Sequence, residues 1–229
     1  MKFKVSREIF EMQPDLCFGV VVARGVENRE ISTGLAEAAK TLEERYSGKK
    51  ARDIEEIAPY REAFREMGYN PNKFMPSIEA LASRVLKGRG VPNILPVVDL
   101  YNSISLKYIL PIGGHDMDSG EGDIEVRLSG EEDKFTPFGG LEAEEMPLGE
   151  VVYSVGSEVK TRRWIWRQGE LGKLTQDSRN IFFPIDGFEG MNDHKVREAA
   201  EEFASKLKEL FQCEVAVGYV NRENMEMEL

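Results

Sequence analysis

Both tryptophans of the chain sit in one seven-residue run, Arg162-Arg163-Trp164-Ile165-Trp166-Arg167-Gln168, together with three arginines. A guanidinium grips phosphate or carboxylate through two parallel N–H bonds, and an indole face can stack a splayed base. Side chains alternate faces along a strand, so as a strand the run puts Trp164 and Trp166 on one side and Arg163, Ile165 and Arg167 on the other. The competing reading has the tryptophans in the core and the arginines solvated or paired with carboxylates. A second cluster lies in Asp99–Lys107 (DLYNSISLK). There Asp99, Asn102 and Ser105 lie along a helix whose other face is apolar. They would offer hydrogen bonds to a ligand beside Gly113-Gly114-His115, or else form a solvated face. Paired glycines admit a ligand close to the backbone, or simply make a tight turn.

Several chemistries are excluded. Gly88-Arg89-Gly90 lacks the third glycine and the preceding strand of a dinucleotide loop. There is no G-x-S-x-G elbow. Asp116-Met117-Asp118-Ser119-Gly120-Glu121 opens like a calcium loop, but Glu121 stands where glycine is required and Arg127 where the bidentate glutamate belongs. Cys17 and Cys213 are the only cysteines, and His115 and His194 the only histidines. That excludes a disulfide scaffold, a four-cysteine zinc site and multi-histidine metal chemistry. No metal and no cofactor is expected. His194, at a helix start, reads as a cap or surface residue.

These groups need elements to hold them. Asp15–Arg24 (DLCFGVVVAR) reads as a buried strand. Leu35, Ala38, Ala39, Leu42 and Tyr46 predict a helix over 31–46, capped by Ser32 or Thr33. A second helix is expected over 52–67, ended by Gly68 and Asn70-Pro71-Asn72. Ser77 is an N-cap candidate for a third helix, with Ile78, Leu81, Ala82 and Val85 as its stripe. Val97, Val98, Tyr101, Ile104, Ser105 and Tyr108 mark a fourth. Glycine-punctuated strands follow at 123–128, 150–155, 162–167 and 180–185, the last an edge or a strand end because of Pro184. A long helix carries Val196, Ala199, Ala200, Phe203, Leu207 and Leu210 on one face. A strand over 214–220 and a frayed acidic tail over 223–229 complete the chain. Helices and strands are partly segregated, which predicts an α+β fold: a single domain, residues 1–229, with a mixed or antiparallel sheet and several packed helices.

The 229 residues are 41% hydrophobic and 31% charged, as in a folded domain. Net charge is −11, which argues against a general nucleic-acid coat, DNA included. Yet residues 61–90 carry six basic and three acidic side chains, and residues 160–179 six and two. The remainder therefore carries −18, and two basic segments sit in an acidic surround. No apolar run reaches the roughly 20 residues of a membrane span, so no membrane partner is expected. The N-terminus lacks the apolar core of a signal peptide, which points to the cytoplasm.

The runs Pro76–Leu81, Asn93–Lys107 (NILPVVDLYNSISLK) and Leu110–Asp118 (LPIGGHDMD) occur in a telling order. They continue through Glu121–Ile124, Thr136–Gly140, Glu150–Tyr153 and Thr175–Phe182. This series resembles the B3/B4 domain of the beta subunit of phenylalanyl-tRNA synthetase over about residues 60–188. The resemblance implies that family's fold and its editing activity: hydrolysis of a wrongly esterified aminoacyl-tRNA, here acting in trans on the acceptor end. Such a second sieve removes what a synthetase pocket rejects poorly. The family's site orients a water at the ester carbonyl and uses no nucleophilic triad. Asp99 and Asn102 match the family's V-D-x-x-N helix. His115 lies two positions from the family histidine, where Gly113 stands. The Gly-Ile-Met-Gly-Gly-like segment that lines the family pocket is here Ile165–Gly169, which is bulkier and implies an amino acid smaller than tyrosine. The implied catalytic residues are Asn102 and His115. The implied substrate-binding residues are Glu79, Asp99, Ser105, Gly113, Gly114, Trp164, Trp166, Arg167 and Gln168. Phosphate would fall to Arg61, Arg84, Arg162 and Arg163. Two other readings stand beside it: a non-catalytic RNA-binding module and an amino-acid sensor.

Overall fold

The structure is a computed structural model and describes residues 1–229. The chain opens with β1 (Lys2–Val5), α1 (Arg7–Met12) and β2 (Leu16–Arg24). Then come α2 (Leu35–Arg45), two 3-10 turns at Ala51–Asp53 and Glu55–Ile57, α3 (Ala58–Glu66), α4 (Ser77–Leu86) and α5 (Pro96–Tyr108). Short strands follow: β3 (His115–Asp116), β4 (Ile124–Leu128), β5 (Lys134–Phe135), β6 (Glu144–Glu145), β7 (Val151–Val155), β8 (Glu158–Arg162), β9 (Arg167–Gln168) and β10 (Ile181–Phe188). The chain ends with α6 (Asp193–Phe211), β11 (Glu214–Asn221) and β12 (Glu226–Glu228).

The fold is α+β. One sheet runs β11-β2-β10-β3. The other runs β12-β1-β4-β7-β8-β5-β6, with β9 paired to β8. It is mixed, because β1 pairs with β4 and β5 with β8 in parallel while the other pairings are antiparallel. β2 is apolar and buried along all but its last residue, since α6 covers it and neighbours flank both edges. A single cluster of 53 buried residues joins both sheets and the helices. No helix is long and apolar enough to cross a membrane.

Several expectations are corrected. The run 162–167 is a hairpin, not a strand. β8 ends at Arg162 and β9 starts at Arg167, with Arg163 and Trp164 left-handed at φ 46° and 58°. The bend drives the Trp164 indole into the core, where it is fully buried. The first long helix starts at Leu35, not Ile31. Gly34, at φ 73°, caps it in place of Ser32 or Thr33. The helix expected over 52–67 shrinks to α3, because Pro59 has no N–H to give to an earlier turn and fits only its first turn. Pro76, not Ser77, precedes α4, and the Ser77 N–H donates to Ile165 O at 2.9 Å. β10 runs on to Phe188. Pro184 stays inside it because its bare nitrogen shares a side with its carbonyl, which takes Gly113 N–H just past the two-residue β3. The tail is not frayed, since Glu226–Glu228 pairs antiparallel with β1.

Candidate active site

α4 and α5, the 111–113 turn, the 164–168 hairpin and the middle of β10 enclose a cleft of about 340 Å³. Helical spacing decides which residues reach it. Ser77, Ala80, Leu81 and Arg84 lie at i, i+3, i+4 and i+7 on α4 and line the cleft. On α5 the same rule brings in Tyr101, Asn102 and Ser105. The Ser105 hydroxyl donates to Leu110 O at 2.6 Å and so fixes the end of its helix. Gly113 lines the cleft. Gly114 lies behind it, and its carbonyl accepts from Gln168 Nε2 at 2.7 Å. A Cβ on Gly114 would come within 2.8 Å of Leu174 Cδ1 and 3.2 Å of the Tyr101 ring. This pair of glycines therefore brings backbone against side chains, and the Gln168 amide clamps the hairpin to the turn.

The floor is polar and buried. Asp186, only 2% exposed, accepts from Tyr153 Oη at 2.7 Å and Trp164 Nε1 at 2.6 Å, both on Oδ1. Burial pushes its carboxyl up to about 7, against the partial relief of those two donors. Tyr60 Oη donates to the Asp186 carbonyl at 2.9 Å and ties α3 to the same strand. The His115 ring stacks on the Tyr153 ring, with centroids 5.5 Å apart. Burial, helped by the Lys160 charge, lowers His115 to about 4, so it is neutral at pH 7. Its Nδ1 is buried and has no partner. His115 is coupled to no nucleophile, and Ser105 spends its proton on a carbonyl. Cys17 lies buried in β2, its thiol pushed up to about 12. The arrangement can orient, stack and donate hydrogen bonds, but it does not assemble a nucleophile–base pair.

At the mouth, Arg84 and Arg167 are exposed and form no ion pair, and the Arg167 guanidinium lies 5.9 Å from the half-buried Trp166 ring. Five other expected site residues are engaged elsewhere. Arg61 and Glu79 are buried partners, with Arg61 Nη1 donating to both Glu79 carboxylate oxygens at 2.7 Å. Glu79 sits on the face of α4 turned away from the cleft, so it positions neither amine nor water there. Arg162 donates from Nε and Nη2 to Glu150 at 2.8 and 3.0 Å, and Arg163 Nη2 lies 3.0 Å from the same carboxylate. Arg163 is also stacked on Phe74, 3.9 Å from its centroid. These three guanidiniums neutralise buried carboxylates and are closed to phosphate. Asp99 is buried behind the cleft, where its Oδ1 accepts Ile94 N–H at 2.9 Å and anchors the entry to α5.

Some site residues were missed from the sequence. Asp186 is the chief one, and its only local signal is one carboxylate in the apolar run Ile181–Phe188. Tyr101, Tyr153 and, on the other face of α4, Ser83, Leu86 and Lys87 were missed too. That face, with Glu79, Ser83, Leu86 and Lys87, borders a second cavity of about 580 Å³. Lys49, Lys50 and Arg52 complete its rim and are exposed. Sparse charge in the sequence hid this cluster, because its members come from two separate segments.

The sequence model of the B3/4 domain family matches residues 59–218, which is most of the chain and runs on through α6 into β11. A search of curated proteins finds no match. Sixteen chains of solved structures match. One is an N-terminal fragment of the phenylalanyl-tRNA synthetase beta subunit from Pyrococcus horikoshii, with 13% identity and a TM-score of 0.51. The alignment covers 93% of this chain and 49% of that one, so the chain spans about half the length of the fragment.

Proposed function

The chain belongs to the B3/4 domain family, and on that premise we propose that its cleft hydrolyses, in trans, the ester of a mischarged aminoacyl-tRNA. The observation that carries the reading is the polarity of the cleft. Two unpaired guanidiniums and an indole stand at the mouth, and a buried floor without a free cation lies behind them. The mouth suits the phosphates and terminal base of a single-stranded acceptor end, and the interior suits a small acyl group. Water adds to the acyl carbon, the ester C–O bond breaks, and the ribose oxygen leaves with a proton. Asn102, on α5 beside the 111–113 turn, is placed to donate to the carbonyl oxygen as its charge grows. Neutral His115 keeps the floor free of positive charge that would hold a product carboxylate. Ile165, Trp166 and Gln168 crowd the wall, so the acyl group is smaller than tyrosine.

The test is release of amino acid from a panel of correctly charged and mischarged tRNAs. One mischarged pair should be cleared selectively. Asn102→Ala should slow kcat by roughly 10²-fold, the scale of one lost oxyanion donor. Arg167→Ala should chiefly raise KM, because a phosphate contact serves ground and transition states alike. Folded protein that hydrolyses no ester in the panel would discard the reading in favour of RNA or amino-acid binding.

A further inference from the structure

The proposed reaction leaves the one carboxyl of the cleft unused. Asp186 lines the floor at 2% exposure. Its Oδ1 takes both the Tyr153 hydroxyl and the Trp164 indole N–H, while Oδ2 accepts from no group of the chain. Both donors are neutral and only partly offset burial, which favours the protonated carboxyl in the empty cleft, so a cation beside Oδ2 would draw it to the charged form. Oδ2 is not sealed in packed protein but opens on the cleft, so whatever occupies the cleft is what meets it. Its only side-chain partners are Tyr153 and Trp164, and no Lys or Arg forms an ion pair with it. The cations Arg84 and Arg167 are at the other end of the cleft. The cleft is therefore dipolar, with positive charge at the mouth and an unpaired carboxyl oxygen at the floor.

We propose that Asp186 Oδ2 is the binding site for a protonated primary amine of the ligand, with Tyr153 and Trp164 holding the carboxyl in position through Oδ1. A ligand carrying phosphate at one end and ammonium at the other fits this polarity end to end. On the deacylase reading, on which the adenosine form of this inference rests, that ammonium belongs to the esterified amino acid. The shared chemistry is the primary ammonium, from either the α-amine or a side-chain amine. Asp186 acts here as a specificity-determining residue, because an uncharged ligand of the same shape leaves the floor unpaired.

The test reads binding, not hydrolysis. Adenosine carrying a 3′-amide-linked amino acid is titrated calorimetrically beside its α-N-acetyl and α-hydroxy counterparts. The free amine should bind at least about tenfold tighter than either, the effect of one charged partner on a buried carboxyl. Asp186→Asn keeps an acceptor for Tyr153 and Trp164 and should bring that ratio close to one. The comparison on the unmodified protein needs no variant, so a folding defect in Asp186→Asn does not disable the test. A lysine analogue that keeps its affinity after α-N-acetylation assigns the same carboxyl to a side-chain amine. For an analogue whose side chain carries no amine, equal binding of amine and acetyl forms, or of amine and hydroxyl forms, overturns the proposal unless the lysine analogue binds at least about tenfold tighter than that analogue. If no adenosine analogue binds, the same comparison is made with amino-acid amides. A preference for the free amine there retains the ammonium site and discards the tRNA reading, and its absence discards both.

Discussion

Asp186 and His115 share one floor, and burial moves them in opposite senses, Asp186 up to about 7 and His115 down to about 4. Each favours its neutral form. Between about pH 4 and 7 the folded protein keeps a proton on Asp186 that the unfolded chain has released. Stability from this group is therefore present at low pH and falls as pH rises, by about 4 kcal/mol across the window. His115 does the reverse. Below about pH 6.5 the unfolded chain binds a proton that the folded state refuses until about 4, and stability falls by about 3 kcal/mol as pH drops. The two slopes nearly cancel in the native protein. Asp186→Asn should therefore steepen acid destabilisation, and His115→Gln should leave a protein that gains stability toward acid. Denaturant unfolding of both at about pH 4.5 and about pH 7.5 checks the signs, and slopes parallel to wild type would refute the coupling to burial. The sequence shows His115 beside its glycines but cannot show that Asp186 matters. Its partners come from β7 and from the hairpin, 33 and 22 residues away, and their convergence is a product of sheet packing.

At the scale of elements, the periodic stripes of α5 and α6 and the apolar run of β2 are readable in the sequence because burial on one face or both leaves a direct mark on residue order. The hairpin at 162–167 is not readable. Alternating Arg and Trp mimics a strand, and only the depth of the Trp164 pocket decides for a left-handed bend. Two-residue strands such as β3, β6 and β9 are too short to carry a period at all. The arginines were misread for a related reason, since a sequence does not say which guanidinium finds a buried carboxylate. α4 turns that distinction into an experiment. Arg61→Ala strands Glu79 in a buried site and should cost about 3–5 kcal/mol in denaturant unfolding, while leaving RNA affinity per folded molecule unchanged. Arg84→Ala removes an exposed, unpaired cation, should cost under about 0.5 kcal/mol, and should weaken RNA binding. If the two variants exchange phenotypes, the assignment of the faces of α4 is wrong. Gly114→Ala should cost about 1–3 kcal/mol, because a new methyl meets Leu174 and Tyr101 in a packed site.

For the whole molecule, the relevant quantity is how charge is distributed, not its sum. A net −11 repels RNA at long range, so encounter depends on a small basic region facing the phosphates. With Arg61, Arg162 and Arg163 tied to carboxylates, that region is narrower than the sequence implied and lies elsewhere. It runs from Arg167 and Arg84 at the cleft mouth, across α4, to Lys87, Lys49, Lys50 and Arg52 around the second cavity. Each neutralised phosphate of a single strand contributes about −0.7 to the slope of log affinity against log salt. Lys49→Ala/Lys50→Ala/Lys87→Ala, three lysines that form no ion pair, should therefore flatten the slope by about 2 if all three meet phosphate. Stability should hardly change, because the three side chains are exposed. Arg162→Ala and Arg163→Ala should leave the slope as it is, and lose stability instead by stripping partners from Glu150. Measuring tRNA affinity from low to physiological salt for these variants separates the two sets. An unchanged slope in the triple variant would remove the second cavity from the RNA path and confine recognition to the cleft mouth. A flattened slope in Arg162→Ala would reinstate the hairpin arginines that the buried ion pairs exclude.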